Sequence, residues 1–345
     1  MPFHLIKLTC LLIIALSLGV KASIYDYYPK PLEVSSSNYG ITGIMQMPNA
    51  RIMKEGSMKI GFSSSYPLEY TYISATPFHW MEAVYKYTEI KNKLYGTVIS
   101  GNQSFKDKGF DLKIKLLDES YYLPEVSVGF NDFAGTGKFA SEYIALSKQI
   151  YNLDFSLGMA WGDLGRSGNI RNPFISANEE FKFREFDSAQ GGTLNYKSWF
   201  SGENVSLFSG LEYYSWKTGL IYKIEYDTSI PRQSFEETAA KANSKFNFGI
   251  HRPINKNLDI GLSFERGNQW RFSFSIKSDY GKKPLVRKND PPKNVLKLNN
   301  EQLKTIAEDK RIFYRSLNRS LREESILIQS ANLNDDEVEV IIAQN

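Results

Sequence analysis

Side chains able to do chemistry are few in this sequence, and none is grouped as a reaction centre would need. The histidines are His4, His79 and His251, and no HExxH, GxSxG or phosphate-loop motif occurs. His251 falls on the polar side of an alternating run with Lys245 and Asn247, where a histidine is simply solvated. Glu179-Glu180 and Glu236-Glu237 are adjacent carboxylates in polar connections, which is how a wet surface looks rather than an acid/base pair. Asp335-Asp336-Glu337 lacks the spaced oxygens of a calcium loop. Cys10 is the only cysteine and lies inside an apolar leader, so thiolate catalysis, disulfides and cysteine metal sites are not expected. The residues point to a non-enzymatic protein without a cofactor or a metal.

One charged group stands in an unusual setting. Gly40-Ile41-Thr42-Gly43-Ile44-Met45-Gln46-Met47-Pro48-Asn49-Ala50-Arg51, continuing to Gly56, joins mobile glycines, a stiff proline and one arginine without sustained alternation. Arg51 has two readings. It caps the entrance of the following sheet and pins its first strand, or it enters an interior and forks onto an inward carboxylate. Inward candidates are Asp154, Glu225 and Asp259, with Arg271 a further inward charge.

The elements that would carry those charges are strands. From Ser57 to Lys277 apolar and polar residues alternate: Met58, Ile60 and Phe62; Phe110, Leu112, Ile114 and Leu116; Leu153, Phe155, Leu157, Met159 and Trp161; Trp270, Phe272, Phe274 and Ile276. Successive side chains of a strand point to opposite faces, so each segment has one apolar and one polar face. The segments run about 8–11 residues, enough for a tilted strand to cross a bilayer. Aromatics make up 14% of the chain, with 21 Tyr and 22 Phe, and amphipathic rings suit both lipid–water boundaries. Charges of both signs lie within the strands, among them Lys113, Asp154, Lys223, Glu225, Asp259 and Arg271. A water-filled or plugged lumen tolerates them, whereas a sandwich has no second wet interior.

These features predict an all-β fold, an antiparallel transmembrane outer-membrane β-barrel of about 12–14 strands, followed by a small periplasmic αββ module. Thirteen segments can be read, and Leu68–Ala75 and Gly192–Phe200 are the least regular. Polar insertions at 133–140, 163–190 and 228–243 fall on one end by parity, expected to be the outside. The 42 basic and 38 acidic residues leave a formal charge of +4, too even for a nucleic-acid-binding face. Mean hydropathy is −0.37. Lys7 followed by the apolar run Leu8–Val20 and then Ala22 reads as a cleaved secretory signal, so export to the outer membrane is expected. Cys10 precedes most of that run, which argues against lipidation there.

After Asp279 the pattern changes to a charged linker with Pro284, Pro291 and Pro292. Leu303, Ile306, Phe313, Leu317 and Leu321 then recur at helical spacing over 301–324, a candidate periplasmic interaction face, and 325–330 and 338–343 read as two short strands. The expected organisation is a signal over 1–22, a periplasmic or plug-like segment over 23–56, a barrel over 57–278, a linker over 279–298 and an α/β module over 299–345.

On Gly43–Arg51 with Gly56, on Gly129-Phe130-Asn131-Asp132 followed by Gly135-Thr136-Gly137-Lys138-Phe139 and Ser141-Glu142-Tyr143, and on Asn152-Leu153-Asp154-Phe155 leading to Trp161-Gly162, the chain resembles the YjbH/GfcD exopolysaccharide or capsule-operon outer-membrane proteins. Leu317 and Leu321 ahead of Val338-Glu339-Val340 fit the same resemblance. It implies a part in assembling or exporting extracellular polysaccharide, with outer-membrane lipids, polysaccharide and other envelope export proteins as partners. A general diffusion porin and an envelope scaffold with a partner-recruiting module are the alternatives, separated by whether the lumen is open.

Overall fold

The computed structural model describes residues 33–96, 100–185, 196–229, 242–280, 299–323, 326–333 and 338–343. The expected signal, most of the linker, Glu236-Glu237 and the 334–337 turn lie outside them. The chain divides into two compact units, residues 1–284 and 285–345.

The first unit is built from β1 (Ser57–Ser65), β2 (Leu68–Phe78), β3 (Met81–Leu94), β4 (Ser104–Leu117), β5 (Glu125–Asn131), β6 (Ser141–Ile150), β7 (Leu153–Ala160), a two-residue β8 (Ile170–Arg171), β9 (Asn204–Ser215), β10 (Leu220–Tyr226), β11 (Phe246–Pro253), β12 (Leu258–Glu265) and β13 (Gln269–Asp279). Sequence neighbours pair antiparallel, β7 pairing directly with β9, and β13 returns to pair with β1. With β8 only an appendage of β9, the other twelve strands close into an antiparallel barrel. Closure removes every sheet edge, so no row of backbone donors and acceptors is left open.

The count corrects the thirteen segments of the sequence. Leu68–Phe78 is a full strand. In Gly192–Phe200 the described part is a 3-10 turn at Tyr196–Ser198, not a strand. Connections at one end of the barrel are short, as at 79–80, 151–152 and 254–257. The described parts of the insertions 133–140, 163–190 and 228–243 all lie at the opposite end.

Alternation sorts the side chains. On β13, Phe272, Phe274 and Ile276 face outward and stay exposed, while Arg271 and Ser275 face the lumen and are buried. Exposed rings gather at both ends of the outer wall: Phe78, Trp80, Tyr122, Tyr151 and Trp216 by the short turns, Tyr66, Tyr95, Phe246 and Trp270 by the long loops. Trp161 departs from expectation. It does not continue the outward row of β7 but is fully buried and stacked on Phe174 at 5.4 Å. Its backbone N–H donates to the Glu142 carbonyl (2.8 Å) and Gly162 follows at φ +65°, turning the chain inward beneath the insertion.

The second unit holds α1 (Asn300–Glu308), α2 (Lys310–Glu323) and a hairpin of β14 (Leu327–Leu333) and β15 (Val338–Ala343). The single helix expected over 301–324 is divided at Asp309, whose backbone is extended and whose carboxylate accepts the Arg311 N–H (2.9 Å). Among the described residues no helix is long and apolar enough to cross a membrane.

Candidate functional site

Residues 35–51 fill the barrel lumen. The segment forms no helix or strand, only isolated bridges between Ser36 and Thr42 and between Gly43 and Pro48. Its two legs stand at the short-turn end, near Glu212 and Asp154, and its bend reaches Glu265 at the long-loop end. An irregular backbone in a dry interior leaves donors and acceptors that must be met one by one. Here the wall strands meet them with charged side chains.

Glu225 on β10 accepts three consecutive backbone N–H groups, from Met45 (2.8 Å), Gln46 (2.7 Å) and Met47 (3.1 Å). Glu82 on β3 accepts the Thr42 N–H (3.0 Å) and hydroxyl (2.9 Å). Lys113 on β4 donates to the carbonyls of Thr42 (2.5 Å) and Arg51 (2.9 Å), and Lys223 to that of Ile44 (2.7 Å). Lys223 also pairs with Glu212 at 3.1 Å. At the bend, the side-chain amides of Asn38 (2.8 Å) and Gln46 (3.0 Å) donate to Glu265.

Arg51 closes the short-turn end. Its Nε and Nη2 fork onto the two oxygens of Asp154 (3.0 and 2.7 Å), and Nη1 reaches Glu125 (2.9 Å) and Glu119 (2.6 Å). Such a planar fork is bidentate recognition of a carboxylate. Burial works against the guanidinium charge, but Asp154, Glu125 and Glu119 outweigh it and hold the group protonated well above its ordinary range.

The polar frame encloses an apolar centre. Ile41, Met47 and Ala50 of the plug pack with inward Tyr72, Tyr143 and Phe208, all nearly or fully buried. Burying a side chain such as Ile41 or Met47 contributes about 1.5–3 kcal/mol. Space for the rings comes from glycines directly across the sheet: Gly61 opposite Tyr72, Gly129 opposite Tyr143, Gly158 opposite Phe208. A Cβ at these glycines would stand 2.0–2.3 Å from the ring atoms. Ile44 and Met45 occupy the corresponding spaces over Gly210 and Gly249.

The structure places the inward residues singled out from the sequence as follows. Arg51 and Asp154 are brought together, and Glu225 holds the plug backbone. Asp259 turns instead to Lys277 (2.9 Å) and lies 3.9 Å from His251. Arg271 donates to Glu265 (3.0 Å) and lies over the Tyr70 ring. His251 faces the lumen but is buried, not solvated as its sequence position implied, because the plug displaces water from that face. Glu82, Glu119, Glu212 and Glu265 were not singled out. Opposite charges at inward positions of neighbouring strands would have signalled all but Glu119, which sits in a turn. In the second unit Ile306, Phe313, Leu317 and Leu321 are half-buried, and the Leu303 side chain is outside the described residues.

At the long-loop end Asp132, just past β5, accepts the Phe139 N–H (3.1 Å), and burial pushes its carboxyl up to about 7 against the opposing charge of Lys86. Gly135 lets the loop close on it, since a Cβ there would lie 1.8 Å from the Asp132 carboxylate. Packing against Asp132 thus explains Gly135 in the Gly-Thr-Gly-Lys-Phe stretch. Arg184 staples the long insertion to the barrel through Glu142, with Nη1 at 2.7 Å and Nη2 at 2.9 Å. Among the described residues no group of three or more His, Cys, Asp or Glu is placed to hold a metal ion.

Solved structures resemble the chain only loosely. The KdgM porin aligns over 64% of this chain and 97% of its own at 9% identity and a TM-score of 0.34. The NanC porin aligns over 65% and 98% at 10% identity and a TM-score of 0.31. Sequence comparison is more specific. The uncharacterized lipoprotein YjbH of Escherichia coli (strain K12) is 37% identical over 268 residues, which are 77% of this chain and 38% of that protein. The match therefore spans well under half the length of that relative. The family model described as exopolysaccharide biosynthesis protein YbjH matches residues 35–345, from the plug through the last strand, and the chain belongs to this YjbH exopolysaccharide biosynthesis family.

Proposed function

We propose that the chain is a non-enzymatic outer-membrane barrel that takes part in the assembly or export of an exopolysaccharide or capsule. The observation that carries this reading is a closed barrel, apolar outside, whose lumen is filled by its own N-terminal segment. The exposed outer wall and the rings at both ends suit a bilayer; membership of the family supplies the polysaccharide. Outer-membrane lipids, polysaccharide and envelope export proteins are the proposed partners. The plug speaks against a general diffusion porin, which needs an open lumen. The scaffold reading has one observation of its own: Leu327, Val338, Ile341 and Ile342 are exposed on the C-terminal hairpin, an apolar surface that suits a partner.

Two measurements test the proposal. Deleting the gene should lower extracellular polysaccharide, with recovery on complementation, and an unchanged yield would remove the polysaccharide role. The protein should fractionate with outer membranes and resist alkaline extraction. Within the membrane, Phe274→Arg should cost about 2–4 kcal/mol near the midplane and Phe274→Leu, which stays apolar, much less. Equal costs would reject the assignment of the lipid face.

A further inference from the structure

We infer that the lumen is not the route of the polymer: the N-terminal plug is a permanent core of the barrel, which works closed, as a membrane-anchored platform. The polysaccharide half of this inference rests on the function proposed above.

A segment that must leave and return needs contacts that are interchangeable or wet. These are neither. Strands β1 to β7 and β9 to β12 all reach the plug, and each contact answers one particular group. Glu225 matches three successive N–H groups, Lys113 two carbonyls, Glu265 two side-chain amides and Asp154 one guanidinium. A shift of one residue would misplace all of them together. The wall is also shaped to this segment, because Ile44 Cδ1 lies 2.1 Å from where a Gly210 Cβ would stand and Met45 Sδ 2.7 Å from that of Gly249. Ile41, Ile44, Met47 and Ala50 are no more than 1% exposed. A gate would expose these apolar side chains to water at each opening. The plug is held at both its bend and its base, so release at one end leaves the other fixed.

The test is to lock the plug. Ser127 Oγ lies 2.5 Å from the Ala50 carbonyl and Ser63 Oγ 2.6 Å from that of Asn38, so Ala50→Cys with Ser127→Cys, and Asn38→Cys with Ser63→Cys, offer one cross-link near each end. Formation of the disulfides is followed by gel mobility. In planar bilayers the oxidised full-length protein should conduct as little after reduction as before, and locked cells should secrete as much polysaccharide as wild type. Conductance that appears on reduction, or secretion lost when locked and restored by reductant, would overturn the inference. Should a double variant fail to fold, Ala50→Cys alone is exposed to a water-soluble maleimide in secreting cells. Unchanged low labelling supports a fixed plug, and labelling that rises during export contradicts it. A gene deletion without effect on polysaccharide would sink the proposed function, while the conductance result would still decide whether the plug moves.

Discussion

The plug and the C-terminal unit reverse the usual link between regular structure and burial. Residues 35–51 have no regular secondary structure, yet most of their side chains are buried and their backbone is tied to the wall. Residues 299–343 hold two helices and a hairpin, yet every described side chain there is exposed or half-buried. In the first, surroundings dictate conformation. In the second, local hydrogen bonds and caps do most of it, as the reciprocal Asn299–Gln302 capping box on α1 shows (2.8 and 3.0 Å). Damage to one contact should therefore spread in the plug and stay local in the helices.

The largest effect is expected at Arg51. Arg51→Ala leaves Glu119, Glu125 and Asp154 facing one another without their shared cation, a loss of about 3–5 kcal/mol for a buried pair broken from one side. Denaturant unfolding of the detergent-solubilised barrel measures it. Arg51→Lys keeps the charge but not the fork and should fall between. A change within error for the alanine variant would mean that water already screens the site.

Gly158→Val comes next, at about 1–3 kcal/mol, because its Cβ would lie 2.1 Å from the Phe208 ring at the plug's apolar centre. The same assay in Phe208→Ala background should show the penalty relieved, and an undiminished penalty would mean that a different neighbour, not the ring, is at fault. The smallest effect belongs to the other unit. Asn299→Ala removes the α1 cap at a cost of about 1 kcal/mol, visible as helix fraying by circular dichroism but not as a shift in barrel unfolding. A shift of the barrel transition would show that the two regions are not independent.

How much of this could be read from the sequence follows the same division. Alternation placed β1, β4, β7 and β13 because polar lumen and apolar exterior differ there at every step. It blurred on β2, where the bulky Tyr70 and Tyr72 face inward while Glu69 and Thr71 face outward. Trp161 continued the period past the end of β7, but a loop, not a strand, determines its place. Arg51 stood out as a charge among glycines and apolar residues, and Asp154 and Glu225 as inward acids. Their pairing did not, since contacts 103 residues apart leave no local trace. Asp309 was hidden because an aspartate inside a helical period reads as a surface residue until its side chain is seen capping the next turn.

Amide hydrogen exchange compares the two regions most directly. With the plug held as a core, the Met45, Gln46 and Met47 amides should exchange as slowly as those of β10 and β11, and much more slowly than those of α2, despite lacking any backbone partner in a helix or sheet ladder. Exchange of these three amides at the rate of an open loop, with the barrel still intact, would contradict a plug that is part of the core.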